Sequence, residues 1–531
     1  MKELRKYTDW LFIVAFALIS GALLAAIDGK GKFLSGWLAC GLLSGLGLGG
    51  ILGMRKLLRV DTKATRAALL AFFLRLLVGV LLTLLLPIVG YQDNPATRAG
   101  YVFKDASIRD RQAYQLGDSG GSLATAFTQK ASGDQYGGML ALSALTYRYL
   151  SPGVHRPILI LILTALAAAL GVLFLWKAVR DWFGEQTANI AAWIFAVYPL
   201  GVLLGSSQMR EPFVMAAIAM AFYGLVEMRR EKWTWLIWLG LAGVLLFLFQ
   251  PPLGLATFVV LCGAWLLDPG RRATWKRALL FAGVLMLGIF IVFTVWATLP
   301  ALQNAGPGNI FFTWLQKNFN LQSYLTWKNS QVVKQMFRNA KDWKVAIILA
   351  YGAVRPVLPA AIVDPSGAWI WRLINVLTST GWYLLAPLLI YGFFNTFRAP
   401  VQERRAQLIW LSLVVAGWIV IAAIAGGADQ TDNPRYRTIF LAWQAVLAAW
   451  ALNRARLFRD VWLPRWFAVE AACVLLFTEW YLSRYYPVFP QLSIWTMVIL
   501  CVAASAAILI GGWVFDRYKM AGSREPGPLR P

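Results

Sequence analysis

Apolar residues fall in long blocks along this chain, and the polar residues collect in the gaps between them. A block of about 20 mostly apolar residues can cross a bilayer as a helix, and about 14 such blocks can be read. They centre near Ala17, Ser44, Gly79, Ala167, Phe195, Met220, Gly240, Cys262, Gly288, Leu388, Ala416, Val446, Leu475 and Ala504. The pattern predicts an all-α fold, a polytopic transmembrane helix bundle. Stretches such as "GGMLALSALTYRYL" and "VKQMFRNAKDWKVAIILAYG" are too short or too charged to span, and predict interfacial amphipathic helices in the loops. The chain then divides into two N-terminal spans (1–66), a transmembrane core (67–298) with a long acidic first loop (91–156), a second long loop (299–370), C-terminal spans (371–516) and a disordered tail (517–531). The opening "MKELRKYTDWLFIVAFALISG" has the basic head and apolar body of a signal peptide; with so many spans behind it, it is read as an uncleaved first helix.

Composition agrees: of 531 residues 59% are hydrophobic and 14% charged, which excludes a soluble multidomain chain. The net charge of +25 raises nucleic acid as a partner, and the placement of the charges argues against it. With the N-terminus inside, the alternate loops "RKLLRVDTKATR", "KAVRDWFGEQ", "RREKW", "DPGRRATWKR", "FRAPVQERR" and "NRARLFRD" all fall on one side and hold much of the basic excess, as the positive-inside rule requires. Both termini are therefore expected in the cytoplasm of a cell-membrane protein. The outer face receives Tyr91 to Arg156, Ser206 to Pro212, Leu299 to Asp364 and Gly426 to Thr438. Cys40, Cys262, Cys473 and Cys501 lie inside apolar runs without paired spacing, and His155 is the only histidine, so neither a disulfide framework nor a multi-histidine metal site is expected.

Three outer loops far apart in sequence offer charge beside an apolar wall. The first holds Asp105, Asp110, Asp118 and Asp134 with Arg109 and Arg111; the second, Arg210 and Glu211; the last, Asp429 and Asp432 before Arg435 and Arg437. A carboxylate can take the proton of an attacking hydroxyl while arginines hold a phosphate leaving group, so the combination suits transfer from a phosphate-activated donor. Purely structural readings compete. Ser107 and Asp110 have the spacing of a capping box, and Asp105 and Arg109 that of an exposed i, i+4 ion pair. Asp110 and Tyr114 share a helical face, whereas Asp105 and Asp110 lie roughly 140° apart, so both point into one site only if Asp105 precedes the helix. Asp93, Asp118 and Asp134 read as solvated, Arg75 as snorkelling, and His155 as structural. Glu470 and Glu479 read as a polar pathway or as interface positions.

This pattern resembles the C-type glycosyltransferase superfamily, polytopic enzymes that take sugars from polyprenyl-phosphate carriers and include protein O-mannosyltransferases and aminoarabinose transferases. Four places carry the likeness. "KDASIRDRQAYQLG" is similar to the family's acidic motif, Asp-Glu-x-x-Tyr-x-x-x-Ala, through Asp105 or through Asp110 with Tyr114. "YGGMLALSALTYRYLSP" and "VRDWFGEQTANIAAWIFAVYPL" resemble the next interfacial helix, span and turn. "SSQMREPFVM" resembles the second outer loop, and "NPRYRTIFLAWQAVLAAWAL" the late Arg-Tyr motif. The chain departs from the family where Ala106 or Arg111 replaces the motif's Glu, and where two extra spans precede the motif. The resemblance implies a membrane glycosyltransferase that moves a hexosyl or pentosyl group, with inversion, from a polyprenyl-phosphate donor to an acceptor on the outer face, whether lipid, glycan or protein. It implies Asp105 or Asp110 as base and Arg210, Glu211, Arg435, Arg437 and Tyr114 as donor-binding residues. No metal ligand and no cofactor is assigned, although some relatives use a divalent cation, which clustered aspartates have the oxygens to bind. The alternatives are a surface-polysaccharide polymerase or ligase, a transporter, and a non-catalytic membrane scaffold.

Overall fold

The structure, a computed structural model, describes residues 2–128, 134–267, 344–365, 367–427, 432–486 and 489–522. The expected span near Gly288, much of the second long loop, Asp429 and most of the tail lie outside the described residues. The first half runs α1 (Lys2–Asp28), α2 (Phe33–Leu58), α3 (Thr62–Val89), α4 (Pro95–Arg98), α5 (Lys104–Asp118), α6 (Thr125–Thr128), α7 (Gly138–Leu150), α8 (Ile158–Phe183), α9 (Glu185–Val197), α10 (Pro199–Gly205), α11 (Glu211–Arg229), α12 (Trp235–Phe249) and α13 (Pro251–Leu266). The second half runs α14 (Lys344–Val354), α15 (Leu358–Val363), α16 (Trp369–Thr396), α17 (Arg405–Gly426), α18 (Asp432–Thr438), α19 (Leu441–Phe458), α20 (Trp462–Tyr485) and α21 (Ile494–Gly522). Every predicted block except the one near Gly288 falls on a described helix.

Among the described residues nine helices are long and apolar enough to cross a membrane, or ten if α9 and α10 count as one span bent by 56°. The protein is thus an all-α, multi-pass membrane bundle. Some of the predicted blocks fall on helices that are short or interrupted. α12 and α13 have 15 and 16 residues, short of the 20 or so that a full crossing needs. α19 carries Asn453, Arg454 and Arg456 in its last turns, and its first half is buried from Leu441 to Ala451.

Burial orders the bundle from centre to rim. α8, "ILILILTALAAALGVLFLWKAVRDWF", is apolar on every face, and 83% of its spanning window is buried; for α11 the share is 94%. At the rim, 11% of the spanning window of α20 and none of that of α21 is buried, so these windows face outward from the bundle. Small residues let the central helices approach closely: a Cβ on Gly79 of α3 would sit 2.9 Å from the Ser206 carbonyl oxygen. α3 itself starts at Asp61, whose carboxylate accepts the Ala64 amide at 2.7 Å.

Arg75 corrects an expectation. It does not snorkel but is fully buried. Its guanidinium donates to the Ala196 carbonyl at 2.8 Å, the Phe195 carbonyl at 3.3 Å and the Ala71 carbonyl at 3.1 Å. The first two belong to the last turn of α9, just before the bend at Tyr198 and Pro199, where helical carbonyls lack intrahelical donors. Arg75 thus closes the end of α9 inside the bundle, and Gly205, whose Cβ would stand 2.5 Å from Arg75 Cδ, makes room for it. Arg75→Leu strands these acceptors and is expected to destabilise the protein by about 2–4 kcal/mol. The midpoint of thermal unfolding in detergent reads this loss; an unchanged midpoint would mean the carbonyls find other donors.

α8 is 26 residues long, so about 39 Å separates its two ends. The α3–α8 loop, the α10–α11 turn and α18 all lie at the end where α8 begins, which brings the candidate residues to one face of the bundle.

Candidate active site

The first loop is built on α5. This helix begins after Phe103, four residues before Ser107, so Ser107 and Asp110 lie inside it and form no capping box. Asp105 occupies the first turn, where the helix dipole favours a carboxylate, rather than the loop before the helix. Asp105 and Asp110 consequently leave α5 in different directions and meet different partners.

Asp105 meets the later loops. Its Oδ2 lies 3.5 Å from Arg435 Nη1, and Arg435 Nε lies 3.3 Å from Glu211 Oε1. The Asp105 side chain is 54% exposed, whereas those of Arg435 and Glu211 are 8% and 3% exposed. Glu211 sits in the first turn of α11, ahead of Pro212, and its second oxygen has no hydrogen-bond partner among the described residues. Next to this group, Arg210 Nη1 lies 3.4 Å from Asp134 Oδ1, with its guanidinium 4.9 Å from the centre of the Tyr136 ring. Arg109 is buried and donates to the Gln208 carbonyl at 3.2 Å. Burial lowers its pKa; the charges of Asp134, Glu211 and Asp105 oppose that shift and Arg210 adds to it, so these groups share one electrostatic field. Three acids balance three arginines, and Asp105 is the carboxylate of the set that stands open to solvent.

Asp110 is enclosed instead. It is buried, and it accepts hydrogen bonds from Tyr101 at 2.6 Å and from Tyr147. His155 Nε2 lies 2.7 Å from the same carboxylate. The pKa of each phenol is raised, first by burial and then by the Asp110 charge, so both remain protonated donors. Two phenols already donate to the carboxylate, and the imidazole Nε2 completes the set as a third donor. Tyr114, one turn on, packs against the imidazole with ring centres 4.8 Å apart.

Other expectations are corrected. Asp134 is not solvated: it is buried and accepts the amides of Leu140 at 3.0 Å and Tyr136 at 3.3 Å at the start of α7. Arg437 does not join Arg435. It turns into the bundle, donating to the Ala353 carbonyl at 3.1 Å and the Arg355 carbonyl at 2.5 Å while lying 3.4 Å over the Trp382 ring. Asp93 and Asp118 are exposed, as expected. His155 and Asp134 are the polar residues whose parts the sequence reading missed. For Asp134 a signal existed, an aspartate shortly before an apolar helical run. For His155 there was none, because its partner lies 45 residues earlier. Among the described residues no group of three or more His, Cys, Asp or Glu is placed to hold a metal ion, and Asp105 and Glu211 both face Arg435.

This all-helical membrane bundle is similar to the C-type glycosyltransferases. Within that superfamily, residues 154–297 match the family of dolichyl-phosphate-mannose-protein mannosyltransferases. The matched stretch includes Arg210 and Glu211; Asp105 and Arg435 lie outside it. Among solved structures, the Archaeoglobus fulgidus oligosaccharyltransferase in its apo form is similar at 15% identity and a TM-score of 0.40. The likeness covers 83% of this chain and 56% of that one, so this chain spans little more than half the length of that protein. No curated protein matches the chain.

Proposed function

We propose that the protein transfers a sugar from a polyprenyl-phosphate donor to a hydroxyl-bearing acceptor at the outer face of the membrane. The observation that carries this reading is the Asp105–Arg435–Glu211 group: an open carboxylate touching a buried arginine that a second, buried carboxylate holds in place. The basic loops at the opposite end of α8 support an outer-side placement of the Asp105 end.

The chemistry follows from what each group can do. The donor's isoprenoid tail lies among the spans, which brings its phosphate to the interface beside Arg435. Phosphate takes over the guanidinium hydrogen bonds, and Asp105 is released as a free carboxylate. The acceptor hydroxyl attacks the anomeric carbon from the face opposite the phosphate. Its proton passes to Asp105 as the new carbon–oxygen bond forms. The anomeric carbon–oxygen bond to phosphate breaks, and polyprenyl phosphate leaves with its added charge stabilised by Arg435. A single displacement of this kind inverts the anomeric centre, as the family resemblance implies. Asp110 does not suit the role of base, because three donors already occupy its carboxylate in a buried setting.

To test the reading, the purified protein in lipid is offered radiolabelled polyprenyl-phosphate hexoses and pentoses one at a time, with membrane extract as the source of acceptor. At least one donor is expected to lose its label to an acceptor. Consumption of none would refute transfer from this class of donor.

A further inference from the structure

We propose that His155 is a positioning residue: through Asp110 it holds α5 so that Asp105 faces Arg435, and the α1–α2 hairpin holds His155 in turn through the adjacent Arg156. This inference rests on the reading of Asp105 as the reacting carboxylate.

α5 is a polar helix, "KDASIRDRQAYQLGD", with few large apolar residues to fix its position by burial. Hydrogen bonds must do much of that work. Arg148 of α7 ties the far end, donating to the carbonyls of Leu116 at 2.9 Å and Gly117 at 3.2 Å. Arg109 ties one side to Gln208. On the other side Asp110 is the tether, and of its three donors Tyr101 and Tyr147 come from the same first loop. His155, at the end of that loop, lies three residues before the start of α8, the central helix of the bundle. A shift of α5 about this tether moves Asp105 relative to Arg435, from which it lies 3.5 Å away.

The base of α8 is itself anchored. Arg156 is 1% exposed and pairs with Asp28 at the end of α1 at 2.9 Å. It also donates to the Lys32 carbonyl at 3.0 Å and to Ser35 Oγ at 3.2 Å, at the start of α2. The hairpin is shaped to receive it: a Cβ on Gly36 would stand 2.5 Å from Arg156 Nη1. The two N-terminal spans, which the family resemblance leaves without a role, thus meet the loop that carries Asp105 through consecutive residues, Arg156 and His155.

The test uses the full-length protein in lipid with the donor found to be consumed. His155→Ala is expected to lower kcat by about 10- to 100-fold with KM for the donor changed less than about threefold, since misplacement of about an ångström has effects of this size. His155→Gln, which keeps an N–H to offer Asp110, is expected to restore most of the rate. Gly36→Ala, which crowds Arg156 from α2 without altering any residue of the site, is expected to lower kcat in the same way. All rates are read at a temperature where thermal unfolding shows each variant folded, so lost stability is separated from lost positioning. A wild-type rate in folded His155→Ala, or a Gln variant no faster than Ala, would overturn the proposal while leaving the assignment of Asp105 standing. Failure of wild type to consume any donor would instead overturn the functional reading on which it rests.

Discussion

Asp105→Asn is expected to abolish most turnover while leaving donor binding in place. The amide keeps the size of the carboxylate and can still lie beside Arg435, but it cannot accept a proton from the acceptor hydroxyl. Loss of a positioned general base typically lowers rates on the order of 10²- to 10⁴-fold, and this is the expected fall in kcat. Donor KM is expected to stay within about threefold, because in the proposed mechanism the phosphate is held by Arg435 and not by Asp105. Asp110→Asn should behave differently. Its carboxamide keeps one acceptor oxygen, so it loses either the bond from Tyr147 or those from Tyr101 and His155, which donate to the other oxygen; the fall is expected to be smaller and to come with a lower unfolding midpoint. Steady-state kinetics on both variants separates the two aspartates that the sequence alone left equivalent.

Arg435→Gln is expected to have the second large effect, on both binding and stability. Arg435 is the guanidinium that reaches the exposed carboxylate and the buried one together. Without it Glu211 is a buried charge lacking its partner, a change that typically costs about 3–5 kcal/mol. Donor KM should rise and kcat should fall together, since the guanidinium serves the phosphate both before and during bond breaking. Arg435→Lys should recover part of the stability and little of the rate, because an ammonium cannot match two acceptors in the fork geometry of a guanidinium. Thermal unfolding and donor titration on the two variants check this; equal rates for Lys and Arg would show that charge alone suffices.

The long helices were legible because long apolar blocks leave few alternatives in a membrane, and every predicted block within the described residues falls on a helix. Less legible was which blocks cross it fully. α9 and α10 read as one block around Phe195, and only the bend at Pro199, capped by Arg75 from α3, shows the interruption. The convergence of Asp105, Glu211 and Arg435 followed from the alternation of loops between two faces. Their roles did not, because they depend on where α5 starts. The spacing of Ser107 and Asp110 suggested a helix beginning there, yet the helix begins at Lys104, and tertiary donors claim Asp110 instead. Arg435 and Arg437 illustrate a signal that was available. Two residues apart on a helix lie on opposed faces, so a helix over Asp432–Thr438 is enough to send one to the loop and the other into the bundle. The pairing of His155 with Asp110 required the fold itself.

The central claim is that sugar leaves a polyprenyl-phosphate donor at the Asp105 end of the bundle. Its most direct test is the amount of polyprenyl phosphate released per sugar transferred by the wild-type protein in sealed vesicles of known orientation, with labelled donor placed in one leaflet at a time. One polyprenyl phosphate is expected for each sugar, formed from the leaflet at the Asp105 end. Release from the opposite leaflet, or transfer without release of polyprenyl phosphate, would contradict it.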